Sequence, residues 1–193
     1  MGDVTESIGI FGGAFDPPHN GHLGLAREAI DHFRLSRLLV RVVADPGHKD
    51  VETAAEIRLA LAQLAFAAID GAEVSLDPFA RTVDSLEALG LHDPVFLIGA
   101  DELAAFPTWT RPERVLQLAR LGAATRPGSD LADLDRVIRS LALPDRVELF
   151  SITPYEVSSS SVRERVCLGL PIDALVPAAV AVEIDRRSLY RAP

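Results

Sequence analysis

The sequence contains one cysteine, Cys167, and one lysine, Lys49. A single cysteine excludes an intramolecular disulfide and any metal site built from several cysteines of one chain. No apolar run approaches the roughly 20 residues that a membrane-spanning helix needs, so no membrane partner is expected. Residues 1–6 are acidic rather than basic and do not resemble a secretory signal. Together these absences predict a cytoplasmic protein.

Positive charge is also scarce. The chain carries 19 Lys and Arg against 28 Asp and Glu, a net charge of -9. Because a nucleic-acid surface needs an excess of Lys and Arg on one face, no nucleic-acid partner is expected. Small phosphorylated ligands remain compatible, since they need only a few local cations and backbone N–H groups. The 193 residues suit a single domain spanning 1–193. The sequence leaves the oligomeric state open, including a homo-oligomer.

Short apolar runs alternate with segments of helical spacing along the chain. The apolar runs predict strands over residues 8–11, 38–43, 73–76, 95–98, 121–125 and 147–150. The other segments predict helices over residues 22–33, 54–68, 82–89, 111–118 and 130–141. Because the strand runs are apolar on both faces, we expect an α/β fold with a doubly wound parallel sheet covered by helices on each side. Ligands of such sheets bind at the carboxyl ends of the strands.

The loop after the first predicted strand combines glycines, prolines and two histidines. Residues 12–22 run Gly-Gly-Ala-Phe-Asp-Pro-Pro-His-Asn-Gly-His. His19 and His22 begin the next helix with both imidazoles on one side of its first turn, and the glycine between them leaves room for a substrate. Imidazoles and free N–H groups at a helix N-terminus suit a phosphate that gains negative charge. Taken alone, the histidines also fit a structural role, with Asp16 holding the turn and Phe15 in the core.

A second segment of interest opens the last helical part of the chain. Residues 157–164 run Val-Ser-Ser-Ser-Ser-Val-Arg-Glu. Ser161 and Glu164 have the spacing of a helix capping box, which is sufficient to explain the segment taken alone. Serine hydroxyls, helix N–H groups and Arg163 one turn further on also suit a polyphosphate.

These segments, in this order, are similar to motifs of one enzyme family. The first resembles the Gly-x-Phe-x-Pro-x-His-x-Gly-His signature of the class I-aminoacyl-synthetase-like nucleotidyltransferases, in the form found in the nicotinate mononucleotide adenylyltransferases. The second resembles the Ile-Ser-Ser-Thr-x-Ile-Arg motif of that family. Further similarity lies in Ile-Gly-Ala-Asp at 98–101, Phe-Pro-Thr-Trp at 106–109, Leu-Val-Pro at 175–177 and Leu-Tyr at 189–190. The resemblance covers nearly the whole chain. It implies a Rossmann-like fold and an enzyme of NAD biosynthesis that transfers AMP from ATP to nicotinate mononucleotide, giving deamido-NAD and pyrophosphate.

The resemblance also implies roles for individual residues. His19 and His22 would bind the α-phosphate and its developing charge, and Lys49 and Arg163 would complete the catalytic set. ATP contacts are implied for Gly12, Gly13, Ala14, Phe15, His19, His22, Gly99, Asp101, Ser159, Ser160 and Arg163. Contacts with nicotinate mononucleotide are implied for Phe15, Lys49, Thr82, Trp109 and Thr110. Mg²⁺ is expected as a cofactor carried with ATP, because no carboxylate cluster in the sequence resembles a dedicated metal site.

Simpler roles remain open for two of these residues, since Asp101 also fits a helix cap and Trp109 also fits ordinary core packing. The chain departs from the family at Ala80-Arg81, where the family has Ser-Tyr before the threonine that matches Thr82. This departure leaves the choice between nicotinate and nicotinamide mononucleotide open.

Two other functions fit parts of this sequence less well. A transferase of the same superfamily acting on phosphopantetheine would commonly show Thr-x-Gly-His in the first motif and lack the Phe-x-x-Trp feature. A non-catalytic nucleotide sensor should have lost a charged or imidazole group, whereas His19, His22, Lys49 and Arg163 are all present.

Overall fold

The computed structural model describes residues 6–47 and 51–191. Within them, six parallel strands form one sheet in the order β3-β2-β1-β4-β5-β6. The strands are β1 Ile8–Gly13, β2 Arg37–Val43, β3 Ala72–Asp77, β4 Val95–Gly99, β5 Arg120–Thr125 and β6 Val147–Ser151. The strand order reverses between β1 and β4, and a crevice opens at the carboxyl ends of strands at such a point.

Helices cover both faces of this sheet. They are α1 Asn20–Phe33, α2 Ala55–Phe66, α3 Thr82–Leu89, α4 Ala100–Ala105, α5 Pro112–Leu118, α6 Leu131–Ser140, α7 Ser159–Cys167 and α8 Ala178–Arg186, with two short 3₁₀ turns at Phe106–Thr108 and Pro144–Arg146. Buried side chains of α1, α2, α7 and α8 form the core on one face of the sheet. Those of α3, α4, α5 and α6 form the core on the other face. The predicted doubly wound α/β fold is therefore confirmed.

Strand β2 shows how the sheet separates its two faces. Its buried residues Leu38, Val40 and Val42 alternate with partly exposed ones and belong to the core under α1 and α2. Arg41 points to the opposite face, because side chains alternate along a strand. It pairs in register with Gly12 of β1, on the α3 side of the sheet.

The six strands and five helices expected from the sequence are all present, with ends that shift by a few residues. The expected end of β1 before Gly12 was wrong. The strand continues through Gly13, because Gly12 and Gly13 pair with Arg41 and Val42 of β2. Helix α4 was not predicted, since its six residues are too few to show a helical period. No helix within 6–47 and 51–191 is long and apolar enough to cross a bilayer.

Candidate active site

A cleft of about 1600 Å³ opens where the strand order reverses. This volume exceeds the roughly 300–1,000 Å³ of a site for one drug-sized ligand, so the cleft has room for two nucleotide-sized molecules. Its walls come from the loops after the strands, from the start of α1 and from the start of α7. The following residues expected to bind substrates line it: Gly12, Gly13, Ala14, Phe15, His19, His22, Thr82, Gly99, Asp101, Trp109, Thr110, Ser159, Ser160 and Arg163.

The loop between β1 and α1 is anchored by an aromatic ring. Phe15 adopts a left-handed backbone conformation with φ of 52°. Its ring packs edge-on against Phe11 and Phe66, with centroid distances of 5.4 and 5.6 Å. The residue is only 2% exposed. The core role predicted for Phe15 is therefore confirmed. Its ring fixes the loop against the sheet and lies next to His22, with a distance of 5.0 Å between the two ring centroids.

The two histidines form a stacked pair at the start of α1. Their ring centroids lie 3.7 Å apart with planes 27° from parallel. The backbone N–H of His19 donates to Nδ1 of His22 at 3.1 Å. Since Nδ1 of His22 accepts this bond, we assign the ring proton of a neutral His22 to Nε2.

The glycine between the histidines serves the pair itself. A Cβ atom at Gly21 would lie 3.1 Å from Nδ1 of His19 and 3.3 Å from Cγ1 of Val157. Gly21 thus makes room for the His19 imidazole and for the loop before α7. It also lines the cleft, and the room expected there for a substrate stays a prediction.

The His19 imidazole is largely enclosed. The residue is 9% exposed, and Nδ1 is buried without a hydrogen-bond partner of ordinary geometry among the described residues. Burial lowers the pKa of His19 from 6.5 to about 4, because it penalises the charged form. His19 is therefore neutral at physiological pH and can act as a neutral hydrogen-bond donor.

A buried arginine binds the backbone of this loop through hydrogen bonds. The guanidinium of Arg58, on α2, donates to the carbonyl oxygens of Thr53, Ala14, Val43 and Ala44 at 2.7 to 2.9 Å. Burial lowers the pKa of Arg58, and the charge of Asp16 opposes that shift. One side chain thereby ties the first loop to the end of β2 and to the start of α2. Sequence analysis missed Arg58, although a charged residue on the apolar face of a predicted helix was a usable signal.

Asp16 joins three distant segments. Its Oδ1 accepts a hydrogen bond of 2.6 Å from the hydroxyl of Tyr190, and its Oδ2 accepts one of 2.6 Å from the backbone N–H of Glu52. Burial, and then the bond to Asp16, raises the pKa of the Tyr190 hydroxyl. The carbonyl oxygen of Asp16 accepts a bond of 2.8 Å from Arg163. The expected turn-holding role of Asp16 therefore extends to the C-terminal segment and to α7.

The start of α7 docks on the same loop. Ser159 donates from its hydroxyl to the carbonyl oxygen of Pro17 at 2.9 Å. The expected capping box of Ser161 with Glu164 was wrong, because the helix begins earlier: Ser158 is the N-cap and forms a reciprocal capping box with Ser161. The two motifs recognised in the sequence thus meet at one edge of the cleft.

Arg163 makes one further contact at this edge. Its Nε donates to Oε1 of Glu52 at 2.8 Å, and the Arg163 side chain is 14% exposed while that of Glu52 is 56% exposed. The guanidinium is therefore held in place at the cleft wall by one carboxylate and by the carbonyl oxygen of Asp16.

The other wall follows β4. Gly99 is the N-cap of α4 and Asp101 lies in its first turn, so the alternative in which Asp101 caps this helix is wrong. Trp109 packs against Phe106 and edge-on against Phe96, with centroid distances of 5.2 and 6.3 Å. It remains partly exposed in the cleft, so the packing role and contact with a ligand are compatible.

The remaining predicted residues are Thr82, at the start of α3, and Lys49, which follows β2 in the sequence. Thr82 is the first residue of α3, and Arg81 is the exposed N-cap of that helix. Lys49 lies outside the described residues, so its predicted catalytic and binding roles stay predictions. Sequence analysis also missed Arg41 and Arg126, which line the cleft at the carboxyl ends of β2 and β5.

The chain is similar to known proteins over almost its whole length. The cytidylyltransferase-like family model matches residues 10–165. A relative from Thermomicrobium roseum named probable nicotinate-nucleotide adenylyltransferase is 39% identical, covering 95% of this chain and 91% of that protein. A protein of the same name from Roseiflexus sp. is 37% identical, covering 97% of this chain and 99% of its own length. The chain belongs to the nicotinate-nucleotide adenylyltransferase family.

A solved structure agrees with the fold. The nicotinic acid mononucleotide adenylyltransferase of Plasmodium falciparum, complexed with NaAD, superposes with a TM-score of 0.78 at 16% identity, covering 96% of this chain and 97% of that one. This likeness supports the Rossmann-like fold of the chain.

The buried His19 should make stability depend on pH. As the pH falls from about 6.5 to about 4, the unfolded chain binds a proton at this imidazole before the folded protein does, and stability is lost over that window. The full loss is about 3 kcal/mol. We expect His19→Gln to remove this part of the decline in the free energy of unfolding, measured by urea denaturation at successive pH values. His92→Gln, at an exposed histidine, should keep the wild-type slope. An unchanged slope in His19→Gln would contradict the buried neutral state.

Removing the guanidinium of Arg58 should destabilise the protein and disturb the loop. Arg58→Met keeps much of the side-chain volume but leaves carbonyl oxygens without donors, at about 1–3 kcal/mol for each one that stays buried. We expect a loss of at least about 2 kcal/mol by urea denaturation, together with weaker ATP binding by calorimetry. Arg27→Met, at an exposed position of α1, is the matched control. Equal stability of the two variants would show that Arg58 does not hold the loop.

Proposed function

We propose that the protein transfers AMP from MgATP to nicotinate mononucleotide, giving deamido-NAD and pyrophosphate. The observation that carries this proposal is the stacked pair of His19 and His22 at the helix start, with the serine-rich start of α7 docked on the same loop through Ser159. Two imidazoles beside two helix N-termini suit a phosphate that gains negative charge. Family membership supports the same reaction.

The reaction needs no nucleophile from the protein. The 5′-phosphate of the mononucleotide attacks the α-phosphorus of ATP in line, one phosphorus–oxygen bond forms, and the bond to the β-phosphate oxygen breaks as pyrophosphate leaves. Catalysis then depends on positioning and on stabilising charge. We assign to His22 the donation of Nε2–H to an α-phosphate oxygen, with His19 beside it as a second neutral donor.

The start of α7 is the proposed site for the β- and γ-phosphates. Backbone N–H groups at this helix N-terminus, the hydroxyls of Ser159 and Ser160, and Arg163 supply donors and positive charge there. These groups would hold the phosphates that carry Mg²⁺, and the bound metal would supply positive charge against the leaving pyrophosphate. Among the described residues, no group of three or more His, Cys, Asp and Glu side chains could hold a metal ion.

The remaining residues divide between the two substrates. Gly12, Gly13, Ala14 and Phe15 would contact ATP along the first loop, and Gly99 and Asp101 would contact its ribose. Trp109 would stack on the nicotinate ring, with Thr82 and Thr110 at the ring's edge. Lys49 would bind a substrate phosphate.

The test is pyrophosphate release from ATP and Mg²⁺ with three acceptors: nicotinate mononucleotide, nicotinamide mononucleotide and phosphopantetheine. The proposal predicts turnover with nicotinate mononucleotide well above that with the other two. Turnover with phosphopantetheine alone would replace the acceptor class. No turnover with any acceptor, in folded protein that binds ATP, would overturn the proposal.

His22→Ala should lower kcat by a factor on the order of 10²–10³, as the loss of one preorganised donor does elsewhere. His32→Ala, at an exposed histidine in the last turn of the same helix, should keep full turnover. Circular dichroism and thermal unfolding would establish that both variants are folded. Near-normal kcat in folded His22→Ala protein would remove His22 from the mechanism.

A further inference from the structure

One arginine of the cleft lacks a full set of partners. Arg41 lies on β2 with its side chain 15% exposed, and its NH1 donates to the hydroxyl of Ser75 at 2.8 Å. Its Nε is buried without a partner among the described residues. Its NH2 lies 3.6 Å from Oδ1 of Asp77, beyond an ordinary hydrogen bond. A guanidinium enclosed in this way costs free energy unless further acceptors reach it.

The nearby carboxylate is already committed elsewhere. Oδ2 of Asp77 accepts a hydrogen bond of 2.5 Å from the hydroxyl of Ser85, and Oδ1 accepts one of 3.1 Å from the backbone N–H of Phe79. Asp77 therefore balances the charge of Arg41 without saturating its donors. Arg81, at the N-cap of α3, adds a second positive charge at this end of the cleft.

The sheet register shows what lies beside Arg41. Its neighbour in β1 is Gly12, which has no side chain to separate Arg41 from the residues of β4. A Cβ at Gly12 would lie 3.4 Å from Cζ of Phe96, and the Phe96 ring meets the edge of Trp109. Arg41 and the Phe96–Trp109 pair thus lie on either side of Gly12.

An ion pair connects the segment that carries Trp109 with the start of α3, where Arg81 is the N-cap. Arg111, two residues after Trp109, forms an ion pair of 2.6 Å with Asp84 in the first turn of α3. The segment that carries Trp109 therefore lies against the helix start that Arg81 caps. A planar ring stacked on Trp109 beside Gly12 would lie in the cleft that Arg41 and Arg81 also line.

We propose that Arg41 is the specificity-determining residue that selects an acidic acceptor ring over its neutral amide analogue, by binding the ring carboxylate with Arg81 beside it. This inference rests on the proposed function for the identity of the acceptor. A carboxylate completes the donors of Arg41 with a charge-assisted bond, whereas a carboxamide brings no charge and two hydrogens of its own.

The experiment compares wild-type protein, Arg41→Leu, Arg41→Lys and Arg37→Leu. Arg37 lies on the same face of β2 but at the other end of the strand, paired with Glu6 and Glu73, and is the matched control. Two quantities are measured for nicotinate and nicotinamide mononucleotide: kcat/KM at saturating MgATP, and Kd from the fluorescence quenching of Trp109, the only tryptophan in the chain.

We expect Arg41→Leu to lower kcat/KM and raise Kd for nicotinate mononucleotide by about 10- to 100-fold, while the values for the amide change little. Arg41→Lys should keep part of the preference, and Arg37→Leu should keep all of it. If Arg41→Leu does not fold, the smaller preference expected in Arg41→Lys carries the test. An equal loss for both acceptors would mean that Arg41 acts on their shared phosphate or ribose and would overturn the inference. Unchanged selectivity would overturn it as well.

The two proposals can fail separately. If wild-type protein releases no pyrophosphate, but the quenching of Trp109 still favours the acid in a manner that depends on Arg41, the proposed function fails and the inference stands. If wild-type protein turns over nicotinate mononucleotide and Arg41→Leu keeps its selectivity, the inference alone fails.

Discussion

The geometry of the cleft depends on the buried guanidinium of Arg58. It donates to four carbonyl oxygens from the first loop, the end of β2 and the segment before α2. Burying a charged group is costly unless it is fully hydrogen-bonded and its charge is compensated. The four carbonyl dipoles and the nearby charge of Asp16 provide that compensation. The backbone of Ala14 is thereby fixed, and this restricts the positions of the loop residues that follow it.

The other contacts that position the site are made by the same loop. Asp16 receives bonds from Tyr190 and from the backbone of Glu52, and its carbonyl oxygen holds Arg163. The loop ends at the histidine pair, which lies at the start of α1. Each contact is modest in free energy, but they share atoms of a single loop, so we expect substitutions among them to be non-additive.

The negative net charge of the chain is compatible with a cleft that binds anions. The chain has a net charge of -9, yet Arg41, Arg81, Arg126 and Arg163 all line the cleft. Six acidic residues line the cleft as well: Asp16, Asp77, Asp101, Glu102, Asp130 and Asp133. Binding of small anions is governed by the placement of individual cations and by aligned N–H groups, so arginines at the cleft of an acidic protein are physically consistent with it. His19 adds no charge at neutral pH and contributes a neutral donor instead.

Much of this architecture could be predicted from local sequence. The apolar runs gave the strands because residues buried on both faces leave a continuous apolar signal, and the order of strands and helices implied a parallel sheet. The errors have local causes. Gly12 and Gly13 extend β1 because pairing with β2 outweighs their weak strand preference, and Ser158 caps α7 because the helix starts earlier than the Ser161–Glu164 spacing indicated.

The contacts that hold the site could not be predicted in the same way. Arg58 binds carbonyl oxygens up to 44 residues away, and the hydroxyl of Tyr190 reaches a carboxylate 174 residues away. Carbonyl acceptors carry no sequence signature, because every residue has one. The interrupted apolar patterns at Arg41 and Arg58 could have identified both residues as unusual, but not their partners.

In the proposed reaction, AMP passes directly from ATP to the acceptor phosphate in a single in-line displacement. The decisive measurement uses ATP with one sulfur replacing oxygen at the α-phosphorus in a single known configuration. The configuration of the dinucleotide product formed with nicotinate mononucleotide is then determined by phosphorus NMR. A single displacement predicts inversion at phosphorus. Retention would require two displacements through a covalent adenylyl-enzyme, and would contradict the roles assigned to His19 and His22.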